Sequence, residues 1–235
     1  MRVKAALVAL IGIAFLNSCG GGGSSTDSKD KVDALVTSSA RYTLTQENKD
    51  DLAFMGNEER LAYDVYSALY DYYKNKGTTI RQFENITKSE TTHIATVREL
   101  VKKYNITQND LTILDTPYAP VASSEVPQSS LPSGKYDIEH IQKLYDALMQ
   151  KGKNSVQDAL EVGCMVEVTD INDLNPKIEH AISSGAKDLE EAFKFLRDGS
   201  YNHYWAFDRG LKNMGVAAGC CNLGDEWCHE EYPKK

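Results

Sequence analysis

From about residue 50 onward, apolar side chains recur every three or four positions. Leu52, Phe54, Met55, Leu61, Ala62, Val65, Ala68, Leu69 and Tyr72 fit a helical period better than alternation, and predict a helix over about 50–76. Gly77, Thr78 and Thr79 punctuate that run. Ile80, Phe83, Ile86, Ile94, Val97, Leu100, Val101 and Tyr104 then predict a second helix, over about 80–104. So short a connection makes the two antiparallel neighbours. Residues 105–135 hold Pro117, Pro120, Pro127 and Pro132 among Ser, Thr and Gln, which predicts a long crossover without a helix of useful length. A short amphipathic helix follows over about 137–150, with Ile138, Ile141, Leu144, Tyr145 and Leu148 on one side. Ser155 is the expected N-cap of a long helix over 156–183, which Pro176 should kink or end. Gly185 closes it, and a last helix is expected over about 188–214. The fold class is all-α: two antiparallel helical hairpins joined by a crossover, with one short extra helix.

The N-terminus has a different pattern. Met1 to Lys4 is basic, and Ala5 to Leu16 is an unbroken apolar run. A helix needs roughly 20 apolar residues to span a bilayer, so this run has the proportions of a signal-peptide core instead. Leu16-Asn17-Ser18-Cys19 resembles a bacterial lipobox, which implies that Cys19 is acylated and becomes the new N-terminus; an ordinary secretory signal with a chance cysteine is the alternative. Gly20 to Ser25 then reads as a flexible tether, and residues 26–46 as a polar linker. The expected organisation is a signal peptide (1–18), a lipidated cysteine and tether (19–47), a helical domain (48–216) and a cysteine-rich tail (217–235). It implies export and lipid anchoring to the cell envelope, on the periplasmic or the surface side.

Composition narrows the partners. With 235 residues and 41% hydrophobic positions, the chain has enough apolar material for one packed domain with appendages. Its 26 basic against 34 acidic side chains give a charge of −8, and cleavage before Cys19 would remove Arg2 and Lys4. An acidic chain of this kind does not coat nucleic acid, which needs a basic face.

Several acids and histidines interrupt apolar faces. Glu59 is followed by Ala62, Tyr63 and Tyr66, whereas its neighbour Glu58 lies about 100° round the helix and is expected to face solvent. Glu90 and His93 are three residues apart and share a helix face with Ile86 and Val97. Glu167 and Asp170 repeat that spacing amid Leu160, Cys164, Val166 and Ile171, and His203 sits in an aromatic-rich stretch. Glu59 precedes Gly77 by 18 residues and Glu90 follows it by 13, while Glu167 and His203 each lie 18 residues from Gly185. At about 1.5 Å per residue, antiparallel hairpins bring these side chains to similar heights. Carboxylates and imidazoles at one buried level need partners, and divalent metal ions supply them. Oxygen and imidazole donors suit Fe or Mn, with Zn also accommodated. His140 and His180 lack companions at ligand spacing and suit surface or capping roles, and Tyr70, Tyr72 and Tyr73 suit packing between helices.

Glu59-Arg-Leu-Ala-Tyr-Asp-Val-Tyr66 together with Ser89-Glu-x-x-His93 resembles the ferritin-like superfamily, rubrerythrin in particular. Glu167-x-x-Asp170 and Gly199-Ser-Tyr-Asn-His203-x-x-x-Phe207 look like the second half of DUF2202, a bacterial family of uncharacterised function within it. The resemblance implies a ferritin-like four-helix bundle holding two divalent ions, iron first, on Glu59, Glu90, His93, Glu167, Asp170 and His203. Tyr63, Tyr66 and Ser200 would surround those ligands. Ser200 stands where the pattern has a glutamate, and Asp170 is the candidate to compensate. The implied chemistry is reduction of peroxide or O₂, or oxidation of Fe(II), with an external electron donor, since the paired Cys-x-x-Cys motifs of rubrerythrin are absent. The alternative is a non-catalytic metal-binding or structural helical module. A homodimer through helix faces, common in that superfamily, is the oligomer it allows.

In an exported protein, Cys164, Cys220, Cys221 and Cys228 permit two disulfides, with Cys220 or Cys221 joined to Cys228. A Cys/His metal site on Cys220, Cys221, Cys228 and His229 is the competing reading.

Overall fold

The computed structural model describes residues 24–115 and 131–234. The signal peptide, Cys19 and most of the Gly/Ser tether lie outside these residues, as do Pro117, Pro120 and Pro127. Six α-helices and no strand occur among the described residues: α1 (Ser24–Thr37), α2 (Gln46–Lys74), α3 (Arg81–Lys103), α4 (Glu139–Gly152), α5 (Val156–Ser184) and α6 (Lys187–Asn213). The chain is all-α.

Local chemistry sets the ends of the long helices. Thr45 and Asn48 form a reciprocal capping box at the start of α2, and Ser155 accepts from the Asp158 amide at the start of α5. Gly185 adopts a left-handed φ of 71° at the end of α5, a conformation that costs glycine little, so α6 can start two residues later. Pro176 does not end its helix: α5 runs on to Ser184. Leu174, Ile178 and Ala181 are buried around the proline, and Lys177 Nζ donates to the Asp173 carbonyl at 3.0 Å, so packing outweighs the lost backbone bond.

The four long helices close a ring in which α2 packs on α3, α3 on α6, α6 on α5 and α5 on α2. Their apolar residues form two separate layers. One layer includes Leu61, Val65, Tyr66, Phe83, Ile86, Leu160 and Phe207. The other includes Leu52, Met55, Val97, Leu100, Leu174, Ile178, Phe193 and Leu196. Helices α2 and α6 enter through the second layer and leave through the first, whereas α3 and α5 do the reverse. Each helix is therefore antiparallel to both of its neighbours in the ring. Because α3 ends in the second layer and α5 begins in the first, the connection between them crosses the length of the ring. Helix α4 then packs on α2 and α5.

Helix α1 starts at the last two residues of the expected Gly/Ser tether and continues into the polar linker expected over 26–46, packing on α3 and α6. Val32 and Val36, one turn apart, are buried in the second layer, and Lys103 Nζ donates to the Leu35 carbonyl at 2.9 Å. The apolar residues of α1 are confined to Val32, Ala34, Leu35 and Val36, too short a run for a periodic signal.

The tail folds back over α6. Cys164 is joined to Cys220 and Cys221 to Cys228, so these sulfurs do not form a Cys/His metal site. Tyr204 Oη donates to the Trp227 carbonyl at 3.0 Å, and the Trp205 indole donates to the Tyr232 carbonyl at 3.2 Å. The Cys164–Cys220 bridge spans 56 residues, and loop-closure entropy assigns such a link about 4 kcal/mol. Replacing both cysteines by alanine is expected to lower the unfolding free energy by about that amount in denaturant titrations.

Candidate metal centre

Between the two apolar layers lies a polar one. Glu58 and Glu59 enter it from α2, Glu90 and His93 from α3, Glu167 and Asp170 from α5, and Ser200 and His203 from α6. All eight are buried, with Glu58, Glu59, Glu90, His93 and Glu167 each 2% exposed.

Five of these side chains form two triads that share one member. His93 Nδ1 lies 3.1 Å from Glu59 Oε2 and 3.0 Å from Glu90 Oε2. His203 Nδ1 lies 2.9 Å from Glu90 Oε1 and 3.5 Å from Glu167 Oε2. Glu90 thus offers one oxygen to each imidazole, and the rings stack at 5.6 Å. Ligand atoms at right angles around an ion about 2.1 Å away lie about 3 Å from one another, which these contacts match. Glu59 Oε1, Glu90 Oε1 and His203 Nδ1 make no hydrogen bond with any described residue, although the last two are only 2.9 Å apart. Donor atoms this close, with their bonding directions not turned on one another, suit a shared cation when the imidazole is neutral. Each triad brings one nitrogen and two oxygen donors, a set that suits iron, manganese or zinc.

The surroundings hold these groups in place. Tyr66 Oη donates to Glu167 Oε1 at 2.5 Å, and its ring is 5.6 Å from Phe83 and 5.3 Å from Phe207. Ser200 Oγ donates to Asp170 Oδ2 at 2.5 Å. Asp170 lies beside the triads but joins neither. The serine at the position where the resemblance expects a glutamate binds this aspartate instead of supplying a ligand. Tyr63 is half-buried and lines a groove of about 510 Å³ with Ser67 and Thr91. Neither remaining helical histidine joins the layer: His140 is exposed, and His180 links α5 to Asp51 and Glu47 of α2.

Two residues escape sequence reasoning. Glu58, expected in solvent, is as buried as Glu59, because the inward face of α2 widens at this height to meet both α3 and α5. Gly199 is the second: a β-carbon there would overlap Cε1 and Nε2 of His93. The absent side chain lets the imidazole lie against α6. A glycine inside a helix costs about 1 kcal/mol against alanine, and that cost is its signal in the sequence.

Burial and charge set the protonation of the layer without metal. Burial raises Glu59 to about 7, against the pull of His93. Burial works against a charged His203, but Glu90 and Glu167 outweigh it and raise the imidazole to about 10. His93 is likewise raised by Glu59 and Glu90 despite its burial. Burial also opposes ionisation of Glu90, yet His203 and His93 together hold it well below the usual range. Protons therefore occupy the imidazoles, and a metal must displace them.

The family model described as "Uncharacterized protein domain (DUF2202)" matches residues 48–116 and 122–227. The chain belongs to this family. The match covers all six expected ligands and stops short of α1 and the end of the tail. The DUF2202 chain is 34% identical over 180 residues to the uncharacterized protein MJ0754 of Methanocaldococcus jannaschii, covering 77% of this chain and 83% of that protein. It also resembles the crystal structure of hypothetical protein MJ0754 from Methanococcus jannaschii, with a TM-score of 0.60 and 33% identity, over 75% of this chain and 86% of that one. Neither name assigns an activity.

Two outcomes follow from the geometry. A histidine whose folded pKa exceeds its unfolded value stabilises the fold below the unfolded pKa and loses that contribution as pH rises through the folded one. For His203 the window runs from 6.5 to about 10. Glu59 acts in the same direction from 4.5 to about 7, because the unfolded chain releases its proton first. Glu90 acts oppositely, losing its contribution as pH falls below the ordinary glutamate value. Calorimetry on chelator-treated protein should therefore show a melting temperature that peaks near the ordinary glutamate value, at about pH 4.5, and falls from there toward pH 9; a flat profile contradicts this protonation. Gly199→Ala should displace the His93 ring and weaken metal binding about tenfold or more by isothermal titration, with the helical circular dichroism retained.

Proposed function

We propose that this protein is a ferritin-like four-helix bundle that holds two divalent metal ions, iron first, and uses them in redox chemistry on O₂ or peroxide or in Fe(II) oxidation. The observation that carries this reading is the Glu90 carboxylate, shared between His93 with Glu59 and His203 with Glu167. Dimetal bundles of this class draw a glutamate from each of two helices and Glu-x-x-His from each of the other two. Here one Glu-x-x-His is replaced by Ser200-x-x-His203. Iron held by Glu59, Glu90, His93, Glu167 and His203 would supply redox chemistry, with two electrons available for an oxidant, or with Fe(II) itself as the species oxidised.

The chain's own residues account for the rest of the site. Glu59, Glu90 and Glu167 neutralise cation charge in a layer from which water is largely excluded, and His93 and His203 give one nitrogen to each position. Tyr66 fixes Glu167 through Oε1 and leaves Oε2 for the cation. Phe83 and Phe207 wall the site on the Tyr66 side. With three protein ligands at each position, a bound cation would keep room for a small oxidant. Export and anchoring through Cys19 are part of the proposal, supported by two disulfides, which persist in oxidising compartments. An external electron donor and a membrane-bound setting complete it. Near-complete burial of all five triad residues favours a second reading, a closed metal site that serves stability alone.

Metal analysis of anaerobically purified protein separates them. Wild type is expected to hold about two ions per chain and to melt higher when loaded, by about 2.7 kcal/mol of added stability at a metal concentration one hundred times Kd. Glu90→Ala with His93→Ala should abolish loading, whereas Glu167→Ala should remove only the His203 ion. Iron that oxidises on addition of peroxide selects the redox reading. Tightly held zinc without turnover selects the closed site, and no bound metal overturns both.

A further inference from the structure

Glu58 joins neither triad, yet both its carboxylate oxygens are buried and make no hydrogen bond with any described residue. Its charged neighbours are Asp170, Asp173 and Lys177 of α5. Asp173 is within hydrogen-bonding reach, but two carboxylates can share a bond only when one of them carries a proton. The Lys177 ammonium donates to the Asp173 backbone carbonyl at 3.0 Å and lies over the Phe54 ring, and among the described residues no cation pairs with Glu58. Toward the interior, Asp170 gives Oδ2 to Ser200 and keeps a buried, unpartnered Oδ1, with Glu59 and Glu167 among its charged neighbours. Toward solvent, the Asp173 side chain is 35% exposed. The acids therefore run in sequence from surface to centre.

Resting on the metal reading above, we propose that Asp173, Glu58 and Asp170 form the entry route by which a divalent cation passes from solvent to the two triads. Leaving a buried carboxylate without a partner is costly, and replacing either acid by an apolar residue would remove that cost, so stability alone does not explain Glu58. A cation in transit explains it. Among the described residues the three acids do not converge tightly enough to make a site like the two triads. A route needs that property, because conduction requires binding favourable enough to enter and weak enough to leave. The Ser200 hydroxyl holds one oxygen of Asp170 and leaves the other to receive the ion. The groove between α2 and α3 is the competing entrance; it is lined by Asp71 and Glu84 but presents no buried, unpartnered carboxylate.

Stopped-flow absorption with Co²⁺ on the full chain tests the route, using wild type, Glu58→Gln, Asp173→Asn and, as a control, Glu84→Gln. Glu58→Gln and Asp173→Asn are expected to slow cobalt uptake about tenfold or more, and to slow its release to a chelator by a similar factor, while equilibrium loading stays at about two ions per chain. Slowing in both directions marks a path; faster release with uptake unchanged would mark a ligand and overturn the route. Uptake as fast as wild type in both variants also overturns it, as does slowing by Glu84→Gln in their place. Should Glu58→Gln fail to fold, the half-exposed Asp173→Asn decides. Wild type that takes up no cobalt refutes the centre itself, a result distinct from two ions loading at unaltered rates.

Discussion

Five carboxylates and two imidazoles are held out of water at mid-height of the helical ring, between two apolar layers. Ionised together, they would place five negative charges against two positive ones in a medium that tolerates neither alone. Without metal, the layer settles this by keeping protons on His93 and His203 and by raising Glu59, Glu167 and Asp170. Several donor atoms still find no partner. Two divalent cations, each facing a neutral imidazole, would nearly cancel the charge and engage the unpartnered atoms of Glu59, Glu90 and His203. The geometry of the four helices is what permits such a layer to exist.

That geometry rests on ordinary local choices. Caps at Thr45 and Ser155 set where α2 and α5 start, and the left-handed turn at Gly185 sets the height of α6 against α5. The missing side chain at Gly199 lets α6 approach the His93 ring. The Cys164–Cys220 bridge ties α5, one turn before Glu167, to the tail that covers Tyr204 and Trp205. These features act on the helices that carry the two triads, whose contacts span 2.9–3.5 Å.

Much of this is legible in the sequence, and the reason is periodicity. The long helices repeat an apolar stripe for many turns, so their lengths, their antiparallel order and the common height of Glu59, Glu90, His93, Glu167 and His203 can be read from spacing. Spacing is a poorer guide wherever the outcome depends on a neighbouring helix. The angle from Glu59 points Glu58 at solvent, but α5 occupies that side of α2 and turns it into the interior. Spacing groups Asp170 with Glu167, yet Ser200 draws it aside through a hydrogen bond that no single-helix pattern contains. Part of the linker forms α1 because α3 and α6 offer a surface for Val32 and Val36. Pro176 leaves its helix intact because burial on both sides decides the matter.

Anomalous diffraction from crystals grown with iron or manganese, recorded on both sides of the metal edge, addresses the central claim most directly. Two peaks are expected on either side of the Glu90 carboxylate, one bonded to His93 and Glu59 and the other to His203 and Glu167. A single peak elsewhere in the molecule, or none within the polar layer, would contradict the account.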